Sequence, residues 1–310
     1  MRRALEGVLA IVTAAFVLVS LLPLGARVWW VLDLLTHFRL QYAAAGVLLA
    51  AVLASLRKPA WALIVAFCVV LHAVPLAYYW PEPRAAAEQV ENESDLRVLT
   101  ANLSRLDYPS TTLMELVRAE SPDVLLLVEF TRVADERFRA LDELYPYRLK
   151  VPRRDAFGLA LFSRHPFAAE QIEIERTAAI RARVSAPAGD VTVFGVHLRS
   201  PTRGVRALER NRQLVELTKL TKAVPGPVIV MGDLNITPFS PFFRDWLAAS
   251  GLRDTGAGRG PWFSWPTFLP IVGIPIDHCV VSPELAVVAQ RRLAAFGSDH
   301  YPVLARLRLP

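Results

Sequence analysis

Residues 228–235 read Val228-Ile229-Val230-Met231-Gly232-Asp233-Leu234-Asn235. Val228–Met231 is a short apolar run rich in β-branched residues, which is the signature of a strand. It stops on Gly232-Asp233-Leu234-Asn235 and leaves a carboxylate and an amide where the strand gives out. Strand ends project side chains into a shared crevice, so chemistry can be placed there. For one such segment alone, a plain turn is the commoner explanation.

The pattern repeats beyond residue 95. Leu96–Leu103, Asp123–Phe130, Phe157–Ser163, Ala179–Ser185, Val191–Leu198, Ile276–Ser282 and Tyr301–Leu309 also read as strands. Helical periods run through Ser110–Glu120, Arg132–Leu144, Arg203–Lys222 and Pro241–Ser250. Strands and helices alternate early, while 157–198 is nearly continuous β. That mixture indicates an α/β or α+β domain over 96–310 with more than one sheet. The segment is long enough for one sizeable core.

The first 80 residues are of another kind. No charge interrupts Gly7–Ala26, Leu40–Leu56 or Pro59–Pro81. Roughly 20 apolar residues cross a hydrocarbon core, so the first and third runs suffice and the second is marginal. A cleaved signal peptide would explain Arg2-Arg3 and the first run, but not the two runs behind it. Trp29-Trp30 and Tyr78-Tyr79-Trp80 suit the membrane interface. The expectation is a multi-pass anchor over 1–80 (spans 7–26, 40–56 and 59–80) and a Pro- and Glu-rich linker over 81–95. Arg2-Arg3 and Arg57-Lys58 place the N-terminus in the cytoplasm by the positive-inside rule. Everything after Trp80 then lies outside.

Charge is unevenly divided. Residues 1–95 carry seven basic and seven acidic side chains, whereas 96–310 carry 28 against 22, so the net +6 belongs to the C-terminal domain. That suits an anionic substrate, and solubility alone would also explain it. Cys68 and Cys279 lie in different regions and imply no disulfide framework.

Polar groups close one strand after another: Asn102, Glu129, His197, then Asp233 with Asn235. Asp277-His278 follows Ile274-Pro275-Ile276, and Asp299-His300 precedes the last strand. Each has a bland explanation as a turn former or a hydrogen-bonded structural residue. The joint pattern is harder to dismiss, because it takes up three of the six histidines.

These segments carry a resemblance: Thr100-Ala101-Asn102, Val128-Glu129, Gly195-Val196-His197-Leu198, Gly232-Asp233-Leu234-Asn235, Ile276-Asp277-His278 and Gly297-Ser298-Asp299-His300-Tyr301-Pro302. In that order they resemble the endonuclease/exonuclease/phosphatase superfamily, which includes deoxyribonucleases, neutral sphingomyelinases and inositol polyphosphate 5-phosphatases. With the apolar N-terminus, the chain further resembles bacterial inner-membrane proteins of that class. The resemblance implies a four-layer αββα sandwich of two mixed β-sheets, preceded by the transmembrane helices.

It also implies roles. Asn102 and Glu129 would bind Mg2+ or Mn2+, with Asp299 completing or orienting the shell, as hard oxygen ligands suit such ions. His300, oriented by Asp277, would be the general base toward water. Asp233 would position that water, Asn235 would bond a non-bridging phosphate oxygen, and His197 would meet the phosphate as an imidazolium or protonate the leaving oxygen. Val196-His197-Leu198 points away from the abasic-site branch, where this histidine is replaced. Asp155 is a candidate to orient His197.

Arg199 and Arg203 lie closest to that histidine and are candidates for substrate phosphate, whereas Arg206 and Arg210 read as a solvated helix face. The apolar stretch 262–272 is either a buried wall or a lip toward lipid. A nucleic acid and a phospholipid-like phosphodiester both stay open as substrates. The bilayer is the one further partner implied, and no protein partner is. A binding protein of the same fold without turnover would be expected to lose Glu129, Asp233 or His300, and all three are present.

Overall fold

The computed structural model describes residues 2–81, 92, 94–104 and 111–310. Most of the expected linker lies outside them, as does Ser110. The chain divides into two compact units: Met1–Tyr78 with Thr237–Arg244, and Tyr79–Ile236 with Asp245–Pro310.

The first unit is helical: α1 (Arg2–Leu21), α2 (Trp30–Thr36), α3 (Arg39–Ser55) and α4 (Pro59–Leu76). Glu6–Gly25 and Pro59–Tyr79 are each long and apolar enough to cross a membrane; α2 and α3, bent by 67°, would add a third span if they act as one. Large apolar side chains face outward, with Ile11 and Leu63 each 71% exposed. A helix in water would turn them inward. Between the helices the contacts are close: a Cβ on Gly46 would come within 2.5 Å of Phe16 and Val69. Small residues let apolar helices approach in this way.

Polar groups of this unit lie inside it. The Ser240 hydroxyl donates to Asp33 Oδ1 at 2.6 Å, and His37 Nδ1 lies 2.8 Å from Thr237 Oγ1. The stretch 27–39 between the first two expected spans contains a helix with Asp33 buried, and Arg39 is buried as well.

The second unit holds two six-stranded sheets. One contains β1 (Leu96–Asn102), β2 (Val124–Val128), β3 (Tyr147–Val151), β4 (Leu159–Ser163), β11 (Ala286–Arg292) and β12 (Val303–Arg308), in the order β11-β12-β1-β2-β4-β3. The other contains β5 (Phe167–Ile174), β6 (Thr177–Ala186), β7 (Gly189–His197), β8 (Val228–Asp233), β9 (Arg253–Asp254) and β10 (Asp277–Val281), in the order β5-β6-β7-β8-β10-β9. Each sheet is mixed: β1 runs parallel to β2, and β7 parallel to β8, while the remaining pairs are antiparallel.

The two sheets share one core. Val124, Leu126 and Val128 meet Val193, Ile229 and Met231 there. Leu125 and Leu127 point the other way, onto α5 (Thr111–Glu120), α6 (Arg132–Arg137) and α7 (Leu141–Leu144). With both faces covered, β2 has to be apolar throughout, which is why its sequence shows no alternation. On the second sheet's side, α8 (Gly204–Lys222) turns Leu214 and Leu217 inward, and α9 (Pro241–Ser250) follows β8.

This is the expected αββα sandwich of two mixed sheets. The sequence reading missed the edge strands β3 and β11, whose side chains are largely half-exposed or exposed, and the two-residue edge strand β9, whereas β5 falls within the expected β-rich stretch 157–198. The helix expected over Arg132–Leu144 breaks into α6 and α7.

Candidate active site

Strand register assembles the site. His197, Asp233 and Asp277 sit side by side, because β7 pairs His197 with Asp233 and β10 pairs Asp277 with Asp233. In the facing sheet Asn102 ends β1 and Glu129 follows β2 directly. The sheets are bridged where Asn102 Nδ2 donates to Asp233 Oδ2 at 3.0 Å. Within the second sheet Gly232 lets β8 lie close against β7, since a Cβ there would lie 1.9 Å from the Val196 carbonyl oxygen.

Glu129 and Asn235 both adopt left-handed backbone, with φ of 60° and 50°. Such conformations in residues other than glycine are uncommon and gather at functional sites. Asn235 is held by three bonds: its N–H donates to Asp233 Oδ1 at 2.8 Å, its Nδ2 donates to the Leu198 carbonyl at 3.0 Å, and Arg210 donates to its carbonyl at 3.2 Å.

His300 Nδ1 lies 2.8 Å from Asp277 Oδ2. Its Nε2 faces Asp233 Oδ2 and Asp299 Oδ1, each at 3.9 Å, which is too long for a direct hydrogen bond. Asp299 accepts from Ser104 Oγ and, at 3.0 Å, from Trp265 Nε1. Ser264 Oγ receives the Asp277 N–H, and Ser298 ties the His300 N–H to the Asn102 carbonyl.

Burial sets the electrostatics. It opposes charge on His300, but Asp277, Asp233 and Asp299 outweigh it and lift the pKa to about 10. Burial, then Asp277, push the Asp233 carboxyl far above the usual carboxylate range. Burial likewise raises Glu129, against the pull of His197. His197 is shifted down by burial, although Glu129 and the Ala156 carbonyl pull the other way.

These acids fit a divalent cation. Asp233, Asp277 and His300 offer ligand atoms within 4.8 Å of one another. Asp277 Oδ1 is buried without a hydrogen-bond partner among the described residues. Raised carboxyls beside an orphaned carboxylate oxygen are what a cation would neutralise, and oxygen donors suit Mg2+ or Mn2+. The trio expected from sequence, Asn102, Glu129 and Asp299, borders this cluster and does not coincide with it.

All eight strand-end residues expected to act together are brought together. Arg199 stays beside them: its guanidinium lies 4.3 Å from the Phe157 ring, which also packs on His197. Arg203 is not brought in, being exposed at the cap of α8.

Two expectations are corrected. Asp155 does not orient His197; His197 Nδ1 donates to the Ala156 carbonyl at 2.7 Å, while Asp155 pairs with Arg153. Arg210 is not on a solvated face but completely buried. The sequence reading also passed over Ser104, Ser264, Ser298 and Trp265, although Ser298 lies inside a quoted motif. The apolar stretch 262–272 is divided: Ser264 and Trp265 serve the site, while Phe268, Leu269 and Ile271 are exposed.

Solved structures share this architecture. An endonuclease/exonuclease/phosphatase from Beutenbergia cavernae DSM 12333 matches at TM-score 0.54 and 25% identity, over 69% of this chain and 72% of that one. D. rerio TDP2 complexed with single strand DNA product matches at 0.59 and 18% identity, over 70% and 100% of the two chains. Sphingomyelinase C from Streptomyces griseocarneus matches at 0.52 and 20% identity, over 68% and 99%. The model of the Endonuclease/Exonuclease/phosphatase family matches residues 99–300, and with that span containing all eight converging residues, the chain belongs to this family of phosphoester hydrolases.

Proposed function

We propose that the chain is a membrane-anchored phosphodiester hydrolase that requires Mg2+ or Mn2+ and works by in-line attack of water at phosphorus. The observation that carries this is the Asp277–His300 pair, whose free Nε2 looks into the gap between Asp233 and Asp299.

In this reading a water in that gap loses its proton to His300 Nε2 as its oxygen attacks phosphorus and the bond to the leaving oxygen breaks. Asp277 fixes the tautomer and stabilises the imidazolium that forms. Asp233 orients the water. Asn235, with one amide hydrogen engaged by Leu198, has the other for a phosphate oxygen. His197, with Nδ1 engaged, presents Nε2 to the phosphate and takes up a proton once the anion offsets its burial. Arg199 supplies positive charge at the rim. A divalent cation held among Asn102, Glu129 and Asp299, within reach of Asp233 and Asp277, would neutralise phosphate oxygens and lower the pKa of His300 toward the working range.

The test uses the full chain in detergent with bis(p-nitrophenyl) phosphate, plasmid DNA and phospholipid vesicles as substrates. Chelation should remove activity and Mg2+ should restore it. The apparent Mg2+ affinity should climb with pH, because Glu129 and Asp233 have to release protons to bind. Hydrolysis indifferent to chelator would end the metal-dependent reading. Of the two substrate classes, exposed Phe268 and Ile271, at 74% and 79%, favour a lipid phosphodiester over a nucleic acid.

The charge bias of Arg2-Arg3 and Arg57-Lys58 supports a bacterial inner-membrane protein with a cytoplasmic N-terminus and an external catalytic domain. Alkaline phosphatase fused after Trp80, an enzyme active only outside the cytoplasm, should then be active. A silent fusion, with a cytoplasmic reporter active at the same point, would reverse the topology.

A further inference from the structure

Arg210 is the largest fully buried side chain among the described residues, and neither the proton transfer nor the phosphate contacts use it. Its Nη1 donates to the Asn235 carbonyl at 3.2 Å, while Nε and Nη2 are held by Asn211 Oδ1 at 3.1 and 2.9 Å. The next carbonyl along, that of Ile236, accepts from His278 Nε2 at 2.9 Å, and His278 Nδ1 is held by Asp254 at 2.9 Å. Both donor side chains, Arg210 and His278, are fully buried. Two successive carbonyls just past Asp233 are thus gripped by side chains from different elements, α8 and β10.

One turn further along α8, Gln213 is buried too. Its Oε1 accepts the Arg199 N–H at 2.8 Å, and its Nε2 donates to Thr177 Oγ1 at 2.8 Å. The inner face of α8 therefore holds the backbone after His197 as well as the backbone after Asp233.

Burying a guanidinium is a poor way to gain stability, because its desolvation offsets much of what its bonds return. It is a good way to fix a peptide plane. Asn235 sits in left-handed backbone, where the plane of the peptide that follows it has to be imposed by its surroundings.

We propose that Arg210 is a positioning residue that locks the Asn235–Ile236 peptide, with His278 holding the next peptide along, and so aims the Asn235 amide at the substrate phosphate. This rests on the phosphodiesterase reading for its catalytic consequence, but not for the clamp itself. Arg210→Lys retains the charge and loses the planar fork.

In the full-length protein this change should lower kcat for bis(p-nitrophenyl) phosphate by between about 10- and 100-fold with KM nearly constant, as expected for a misplaced group. Asn211→Ala, which loosens the guanidinium without removing it, should act in the same direction and less. The Arg210→Lys/Asn235→Ala double variant should be no slower than Asn235→Ala alone, since both changes disable the same amide. Arg206→Ala, on the exposed face of the same helix, should match the native enzyme. Amide exchange of the Asp233–Ile236 segment should quicken in Arg210→Lys and stay native in β6.

Additive losses in the double variant, or a native kcat in Arg210→Lys, would overturn the positioning role. If the native chain hydrolyses none of the phosphodiesters, the functional reading fails and exchange alone decides: quickened exchange supports the clamp, and unchanged exchange refutes it. Should Arg210→Lys fail to fold, Asn211→Ala is read by the same two criteria.

Discussion

Asp277→Asn is expected to lower kcat by about 100-fold to 10,000-fold while leaving the fold intact, the range general-base catalysis spans. The carboxylate and amide are nearly the same size, so packing between β8 and the Ser264 hydroxyl survives. Two things are lost: the charge that stabilises an imidazolium, and an acceptor that compels Nδ1 to carry the proton. An amide can turn its NH2 toward Nδ1 and drive the proton to Nε2, where a base has to be empty. The pH profile supplies a second criterion. Asp277 is the largest influence raising His300, so its removal lets the ring shed its proton more easily. The acid limb of kcat/KM, along which activity climbs as His300 deprotonates, should move to lower pH even as the plateau drops. His300→Ala should abolish that limb. An Asp277→Asn limb that stays in place while the rate falls would show that another group is the base.

The core strands could be read from sequence for a physical reason. Val124–Val128 and Val228–Met231 are covered on both faces, and full coverage demands an uninterrupted apolar run. β3 and β11 form the two edges of their sheet, where many side chains meet solvent and the residues mimic a loop. The site was legible to the extent that it sits at strand ends. Asn102, Glu129, His197 and Asp233 are spread over 132 positions of chain, and only the sheets make them neighbours.

What could not be read was the support. The partner of His197 is the Ala156 carbonyl, and a backbone acceptor leaves no mark in the sequence, so the nearby Asp155 drew attention instead. Arg210 falls at helical spacing with other arginines, and solvent is the default for a charged helix residue. Its burial follows from the Asn235 carbonyl across the fold, which no local pattern encodes. The same holds for Trp265, whose indole reaches Asp299 from within an apolar stretch.

Gly232→Ala should be among the most damaging single methyl groups in the catalytic unit, because a backbone collision and a left-handed φ coincide there. The residue has φ of 134°, and the added Cβ would lie 1.9 Å from Val196 O and 3.0 Å from Val196 C. No rotamer relieves an overlap between a Cβ and a backbone carbonyl, so β7 and β8 have to separate where they place His197 beside Asp233. The expected destabilisation exceeds about 4 kcal/mol, the level reached only by a named structural fault. For a domain of this size that shifts thermal unfolding down by roughly 10 °C or more. Gly226→Ala is the control: φ is 76°, nothing lies within 4 Å, and the left-handed backbone alone costs about 1 kcal/mol. Thermal unfolding of both variants in the full chain separates conformational strain from collision. Equal shifts for the two would mean that β7 and β8 yield easily, and the close approach that joins His197, Asp233 and Asp277 would then be no constraint on the site.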